Sequence, residues 1–303
     1  MRKTWLLGMM AGAAIWAQAP QNAHNDAAKK LAGAKWASAY NFFCVAPKAN
    51  AATDPPIQPT KVFDNFYAIG DSGTTAYALV TSQGIILIDS LPANQTETVL
   101  LPGLKAIGLD PANVKYVIVT HGHGDHSGGS FTFQERWGAH VALSSVDWDG
   151  MNPAAGKGKA AANNPRRDVE LKDGDTVKLG DVTVTAVLTP GHTPGSLGLI
   201  FPVKDGNTTH MAGMFGGTIL LPGRPDVPTL QTYLASIAHF KEATTKAKVD
   251  VEIQNHPLMD DAARLTSARD HKAGTPHPWV VNDYSTYLDV MAECLHAQRP
   301  ELP

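Results

Sequence analysis

His121-Gly122-His123-Gly124-Asp125-His126 follows directly on Val114-Lys115-Tyr116-Val117-Ile118-Val119-Thr120, and the junction of these two stretches decides how the chain is read. The upstream stretch is largely apolar and β-branched, as expected of a buried strand. The hexapeptide gathers three imidazoles and a carboxylate. Zinc takes nitrogen and carboxylate-oxygen ligands at about 2.0–2.2 Å and needs several converging on one point. Because the first two histidines alternate with glycine, a turning backbone at a strand end can aim both at one ion. Asp125 and His126 follow on the next turn and can face a second ion beside the first. The glycines permit close approach and unusual dihedrals. A chance histidine cluster on a surface loop is the competing reading, which the buried-type strand before it disfavours.

Two further stretches extend the pattern. Thr189-Pro190-Gly191-His192-Thr193-Pro194-Gly195-Ser196 comes after the apolar run Val182–Leu188, and Asn255-His256-Pro257 comes after Val249–Gln254. Taken alone, His192 reads as a loop residue between two Pro-Gly turns and His256 as structural. Each nevertheless ends a strand, so both can meet the hexapeptide at one sheet edge. His24, His140, His210, His239, His271, His277 and His296 have no partner at metal spacing and read as structural or solvated.

Working outward, strand-like segments are expected at Lys61–Ile69, Tyr77–Thr81, Gly84–Asp89, Val141–Ser144, Thr176–Leu179, Ser196–Phe201 and Thr208–Met211. Helical patterns are expected at Thr96–Ile107 (interrupted by Pro102), Phe131–Trp137, Thr229–Ala243, Asp260–Lys272 and Tyr284–Ala297. Helices mixed among strands in both halves indicate one layered α/β domain over residues 61–303. Residues 20–60, rich in Ala, Asn, Pro and Lys, read as an extension lying on that domain, with a helix-like stretch at Ala27–Phe43 and a Pro-rich connector at Pro47–Pro59.

The chain has 303 residues, 43 % of them hydrophobic, enough for a full buried core, and a net charge of −3. No basic field points to nucleic acid, and a polyanionic partner is not expected. Residues 1–19 read as an export signal: Arg2 and Lys3, an apolar core from Trp5 to Trp16, then Ala17-Gln18-Ala19. Pro20 is awkward for cleavage at that point, and a buried helix or an uncleaved anchor are the other readings. A periplasmic or secreted mature chain without a membrane span is expected. Cys44 and Cys294 are the two cysteines. In an exported protein they could pair, clipping the extension to the last helix; two unpaired thiols remain the alternative.

HxHxDH, then TPGHTPGS, then NHP, each after a strand and in this order, resemble the metallo-β-lactamase superfamily over Lys61 to His256. The resemblance implies an αββα sandwich with metals at one edge of the sheets. It implies two Zn2+ per chain, one held by His121, His123 and His192, the other by Asp125, His126 and His256. Asp89 matches the family's buried acid behind the site. The absence of a ligand cysteine, and of a carboxylate in the stretch His210–Gly217, makes the set similar to the third (B3) subclass of class B β-lactamases. Gly216, Gly217 and Thr218 stand where that subclass often has serines. That would leave the substrate carboxylate to Thr218 or to a loop cation, and serine at 216 is expected to improve activity if the residue faces the pocket. Lys157, Lys159, Arg166 and Arg167 could flank the site and attract an anion, although they read more readily as a solvated loop.

The activity this implies is hydrolysis of a small molecule, a β-lactam amide opened by hydroxide generated from zinc-bound water. Asp125 would act catalytically by orienting the nucleophile. The alternatives are a lactone, thioester or phosphoester hydrolase on the same site, or a zinc-binding protein without turnover.

Overall fold

The computed structural model describes residues 23–45, 56–151, 163–219, 225–257, 261–272, 274–299 and 302. The export-signal stretch, most of the Pro-rich connector, Lys157 and Lys159 lie outside them. Among the described residues no helix is long and apolar enough to cross a membrane.

Two sheets face each other. The first is laid out in chain order: β1 (Thr60–Phe63), β2 (Phe66–Gly70), β3 (Thr75–Thr81), β4 (Gly84–Ile88), β5 (Val114–Ile118), β6 (His140–Ser144) and β7 (Val169–Leu171). The second runs β12 (Val251–Ile253), β11 (Thr208–Met214), β10 (Leu197–Asp205), β9 (Val182–Leu188), β8 (Thr176–Leu179).

The near-continuous apolar run of β4 shows why strands of this kind need cover on both faces. Ile86 and Ile88 point into the core between the sheets with Phe66, Leu79, Leu199, Phe201 and Met214. Ile85 and Leu87 point outward against Leu104, Phe133 and Trp148. These come from α3 (Leu101–Ala106), α5 (Ser130–Trp137) and α6 (Ser145–Met151). Each such side chain contributes about 1.5–3 kcal/mol when fully buried. On the other side Val187, Ile200 and Phe215 pack under Ile237, Phe240, Tyr287 and Leu288 of α7 (Val227–Lys246) and α9 (Tyr284–Gln298). The result is the αββα sandwich.

Strand direction gathers the chemistry. β4, β5 and β6 are parallel, so their C-terminal ends share one edge. In the second sheet β9 and β11 both run antiparallel to β10, and β12 is parallel to β11, so β9, β11 and β12 also end together. The two edges are joined where Leu197 N–H donates to Thr120 O at 2.8 Å.

Several expected segments differ. Lys61–Ile69 is a hairpin: Asp64 and Asn65 turn the chain, and Asn65 Oδ1 accepts from Lys204 N at 2.8 Å. β7 and α6 went unrecognised, because a three-residue strand and a seven-residue helix carry too little periodicity. Thr96–Ile107 is a π turn, Thr96–Leu100, followed by α3, whose first turn holds Pro102 where no N–H is required. The stretch Ala27–Phe43 is broken: α1 (Ala23–Ala32) ends at Gly33, and α2 (Ala37–Tyr40) and a π turn to Val45 follow.

α1 and the turns after it lie against α9 through Ala28, Ala32, Trp36 and Phe42. Cys44 and Cys294 form a disulfide with a Cα separation of 4.8 Å, so the question left open by sequence resolves to pairing. Closing so long a loop is expected to contribute about 2–4 kcal/mol. Urea unfolding of the oxidised protein should therefore show a stability lower by that amount on adding reductant. The double variant Cys44→Ser/Cys294→Ser should be insensitive to reductant.

Candidate metal centre

Each chemical group sits just past a strand end. β5 leads through Val119 and Thr120 to His121. A tight turn to α4 (Gly124–Ser127) then presents His123, Asp125 and His126. The loop after β9 supplies His192 and the residues after β12 supply Asn255 and His256. The ligand atoms fall into two groups, His121/His123/His192 and Asp125/His126/His256, each with its atoms within 4.8 Å of one another. In the first, His192 Nε2 lies 3.0 Å from His121 Nε2 and 2.9 Å from His123 Nδ1. In the second, His126 Nε2 lies 3.0 Å from His256 Nε2, and Asp125 Oδ2 lies 3.4 and 3.9 Å from those two atoms. The groups adjoin, the rings of His121 and His126 being 4.1 Å apart.

The outward-facing ring nitrogens are tied from behind. His256 Nδ1 donates to Gly73 O at 2.8 Å, and His192 Nδ1 donates to Ile219 O. His126 Nδ1 reaches Asp89 Oδ2 at 2.7 Å, and His121 Nδ1 lies 3.2 Å from Thr120 Oγ1. Such ties fix tautomer and ring orientation in metal sites. With Nδ1–H committed, His192 and His256 turn bare Nε2 lone pairs toward other ring nitrogens at about 3 Å. At the first focus these crowded, inward-facing nitrogens fit a cation; at the second the Asp125 carboxylate stands beside the His126 and His256 ring nitrogens, so the residues present suit two metal ions.

Electrostatics agree in five of the six groups. Burial holds His121 well below the usual imidazole range and lowers His123, with the Asp125 and Asp147 carboxylates opposing it there. Burial, helped by neighbouring imidazoles, lowers His192 to about 3 and His256 to about 4. Burial would raise Asp125, but His126 and His256 overrule it and keep the carboxyl well below its usual range. His126 is the exception: burial pushes it down, yet Asp89 and Asp125 carry it up to about 10. Without metal it is an imidazolium between two carboxylates, with a proton that a metal must displace.

Asp89, singled out from sequence, is fully buried behind His126. Thr218 is also buried; its Oγ1 has no hydrogen-bond partner, and it lines a cleft with Phe42, Phe43, Tyr233 and Leu295. Gly216 does not face a pocket: a Cβ there would lie 2.1 Å from Leu197 O and 2.9 Å from Thr120 Cβ. Serine at 216 is therefore excluded by packing, which corrects the expected gain. Arg166 pairs with Glu135, and Arg167 with Asp149 and Glu170. Sequence reasoning missed Asn255, whose Nδ2 donates to Asp89 Oδ2 at 3.3 Å and Thr120 Oγ1 at 3.1 Å, and Asp147, buried beside the first group. Asn255 had a signal in its place beside His256; Asp147 had none.

Residues 69–205 match the family model described as the metallo-beta-lactamase superfamily. BJP-1, a subclass B3 metallo-beta-lactamase of Bradyrhizobium japonicum, is 26 % identical over 82 % of this chain and 96 % of that one, with a TM-score of 0.67. FEZ-1 from Legionella gormanii, at 21 % identity, shares the fold over 83 % of this chain and 98 % of its own, with a TM-score of 0.67. The hydroxyacylglutathione hydrolase of Acidiphilium cryptum is 31 % identical over 121 residues, 38 % of this chain and 44 % of that protein. The chain spans about half the length of the curated relatives it matches. The chain has the metallo-β-lactamase fold, and the stretch that matches the superfamily's model carries five of the six candidate ligands, His121, His123, Asp125, His126 and His192.

The raised His126 makes metal loading proton-linked. A group with a folded pKa of about 10 is protonated at pH 8 and neutral only when it ligates. Zinc titration of the metal-free protein at pH 8 should release about one proton with the second ion. Calorimetry in buffers of different ionisation enthalpy reads this directly, and affinity for that ion should fall as pH is lowered. Uptake of both ions without proton release would contradict the arrangement.

Proposed function

We propose that the chain is a dinuclear zinc hydrolase that opens the amide bond of β-lactams. His121, His123 and His192 would hold one ion and Asp125, His126 and His256 the other. The donor set carries this reading: five imidazoles and one carboxylate in two groups of three. Met214–Gly217, packed against His192 and Leu197, adds no carboxylate. The same composition marks the resemblance to subclass B3, and it agrees with the coverage of BJP-1.

Zinc bound there supplies Lewis acidity and lowers the pKa of bound water toward neutrality. The protein's part is positional and electrostatic. Asp89, Gly73 and Ile219 fix the rings from behind, so the ligand nitrogens are preorganised. Asp125, anionic and about one-third exposed, is the oxygen donor of the set and orients the attacking water. The leaving nitrogen would take its proton from solvent. With no side chain possible at Gly216 and with Arg167 engaged by two acids, the substrate carboxylate has fewer anchors here, so weak turnover is expected. Losing one charge-assisted hydrogen bond costs roughly 1.5–3 kcal/mol, about ten- to a hundred-fold in efficiency.

A second reading, thioester hydrolysis, is favoured by the likeness to hydroxyacylglutathione hydrolases. For the cell compartment we propose export, on the strength of the Arg-Lys start, the apolar core and Ala17-Gln18-Ala19. The Cys44–Cys294 disulfide also fits an oxidising environment. Activity there would protect the cell from β-lactam antibiotics.

The test is a panel on the zinc-loaded protein: a penicillin, a carbapenem, a lactone and a hydroxyacylglutathione thioester. Zinc-dependent β-lactam turnover is expected, abolished by chelator and reduced at least about 100-fold by His121→Ala. Thioester or lactone kcat/KM about 100-fold above every β-lactam would transfer the assignment to that substrate. Turnover unaffected by chelator would contradict both readings.

A further inference from the structure

We propose that Asp147 is the positioning residue of the first metal group: its buried carboxylate bolts the His121–His123 turn to the His192 turn. The inference rests on the dinuclear reading above. Asp147 sits in the first turn of α6 and is 5 % exposed. Its Oδ1 accepts from Gly195 N at 2.8 Å, and its Oδ2 accepts from Gly122 N at 2.8 Å and from Thr193 Oγ1 at 2.7 Å. Gly122 stands between His121 and His123, and Thr193 follows His192 directly. One carboxylate therefore sets the distance between two loops that share no strand, and that distance places three ring nitrogens around one point.

The helix that carries the carboxylate is itself fixed. Trp148, fully buried, donates its indole N–H to Val169 O at 2.9 Å, and Asp147 N–H donates to Ser144 Oγ at 3.2 Å. The His192 loop docks on it so closely that a Cβ at Gly195 would lie 2.5 Å from Asp147 Oδ1 and 2.2 Å from Ser144 Oγ. Only glycine brings its backbone N–H that near. The second group has different ties: His126 is held by Asp89 and His256 by Gly73 O. Asp147 thus acts on one group of three and not on the other.

The chemistry at this position requires a carboxylate. Two backbone N–H groups point at opposite oxygens. An asparagine in either orientation turns its NH2 toward one of them, which leaves a buried donor unpaired.

The test isolates each group. His256→Ala leaves only the first group intact, and His192→Ala leaves only the second. Asp147→Asn and Thr193→Val are placed in each background, and zinc affinity is read by competition with a chromophoric chelator. Thermal melting of the metal-free proteins is followed in parallel. In the His256→Ala background Asp147→Asn should weaken zinc about 10- to 100-fold, whereas in the His192→Ala background the change should stay within about threefold. Should Asp147→Asn fail to fold, Thr193→Val removes a single hydroxyl. It should give the same one-sided pattern at about 2- to 10-fold. Equal losses in both backgrounds, or none in the first, would overturn the proposal. Absence of zinc binding by the parent protein as well would instead overturn the dinuclear reading.

Discussion

The Asp89 carboxylate, wholly removed from water, accepts from Thr120 N at 2.8 Å, from Thr120 Oγ1 at 2.9 Å, from His126 Nδ1 at 2.7 Å and from Asn255 Nδ2 at 3.3 Å. These four contacts reach the end of β5, the histidine-rich turn and the loop after β12. A charge so deep is tolerated only when paired and hydrogen-bonded, and removing a partner typically costs about 3–5 kcal/mol. Asp89 also adopts a left-handed backbone, φ 57°, which few non-glycine residues do. Strain of this kind persists where the surroundings over-determine it. Here it turns the chain out of β4 and leaves the carboxylate at the meeting point of both sheets.

The sandwich brings loops from both sheets to one edge, and small polar devices then hold them there. Asp89 and Asn255 govern the second group; Asp147 and the Ile219 carbonyl govern the first. The division matters because the groups differ in charge. The first offers three neutral imidazoles. The second carries Asp125 and, before loading, a protonated His126. The two sites should therefore respond differently to pH although their nearest rings stand 4.1 Å apart.

The sandwich and the six converging donors were legible because HGHGDH directly follows a buried strand. His192 and His256 became legible only through order along the chain, since each alone has the look of a loop histidine. What stayed hidden had no local signal. Asp147 lies in Ser-Val-Asp-Trp-Asp-Gly, where nothing separates it from Asp149, a surface partner of Arg167. Its role exists only once two distant loops are folded onto α6. Gly216 misled for the converse reason: the chain position suggested a pocket wall, but the backbone of Leu197 fills the space a side chain would need. The hairpin at Asp64–Asn65 was missed because apolar residues flank it on both sides, masking a two-residue turn.

The most direct measurement is anomalous diffraction at the zinc edge from crystals grown with zinc. Two peaks are expected. One should lie about 2.0–2.2 Å from His121 Nε2, His123 Nδ1 and His192 Nε2, and the other at the same range from Asp125 Oδ2, His126 Nε2 and His256 Nε2. His126 Nδ1 should still be held on Asp89. No peak at this edge, or a single peak with His126 turned away from it, would contradict the account.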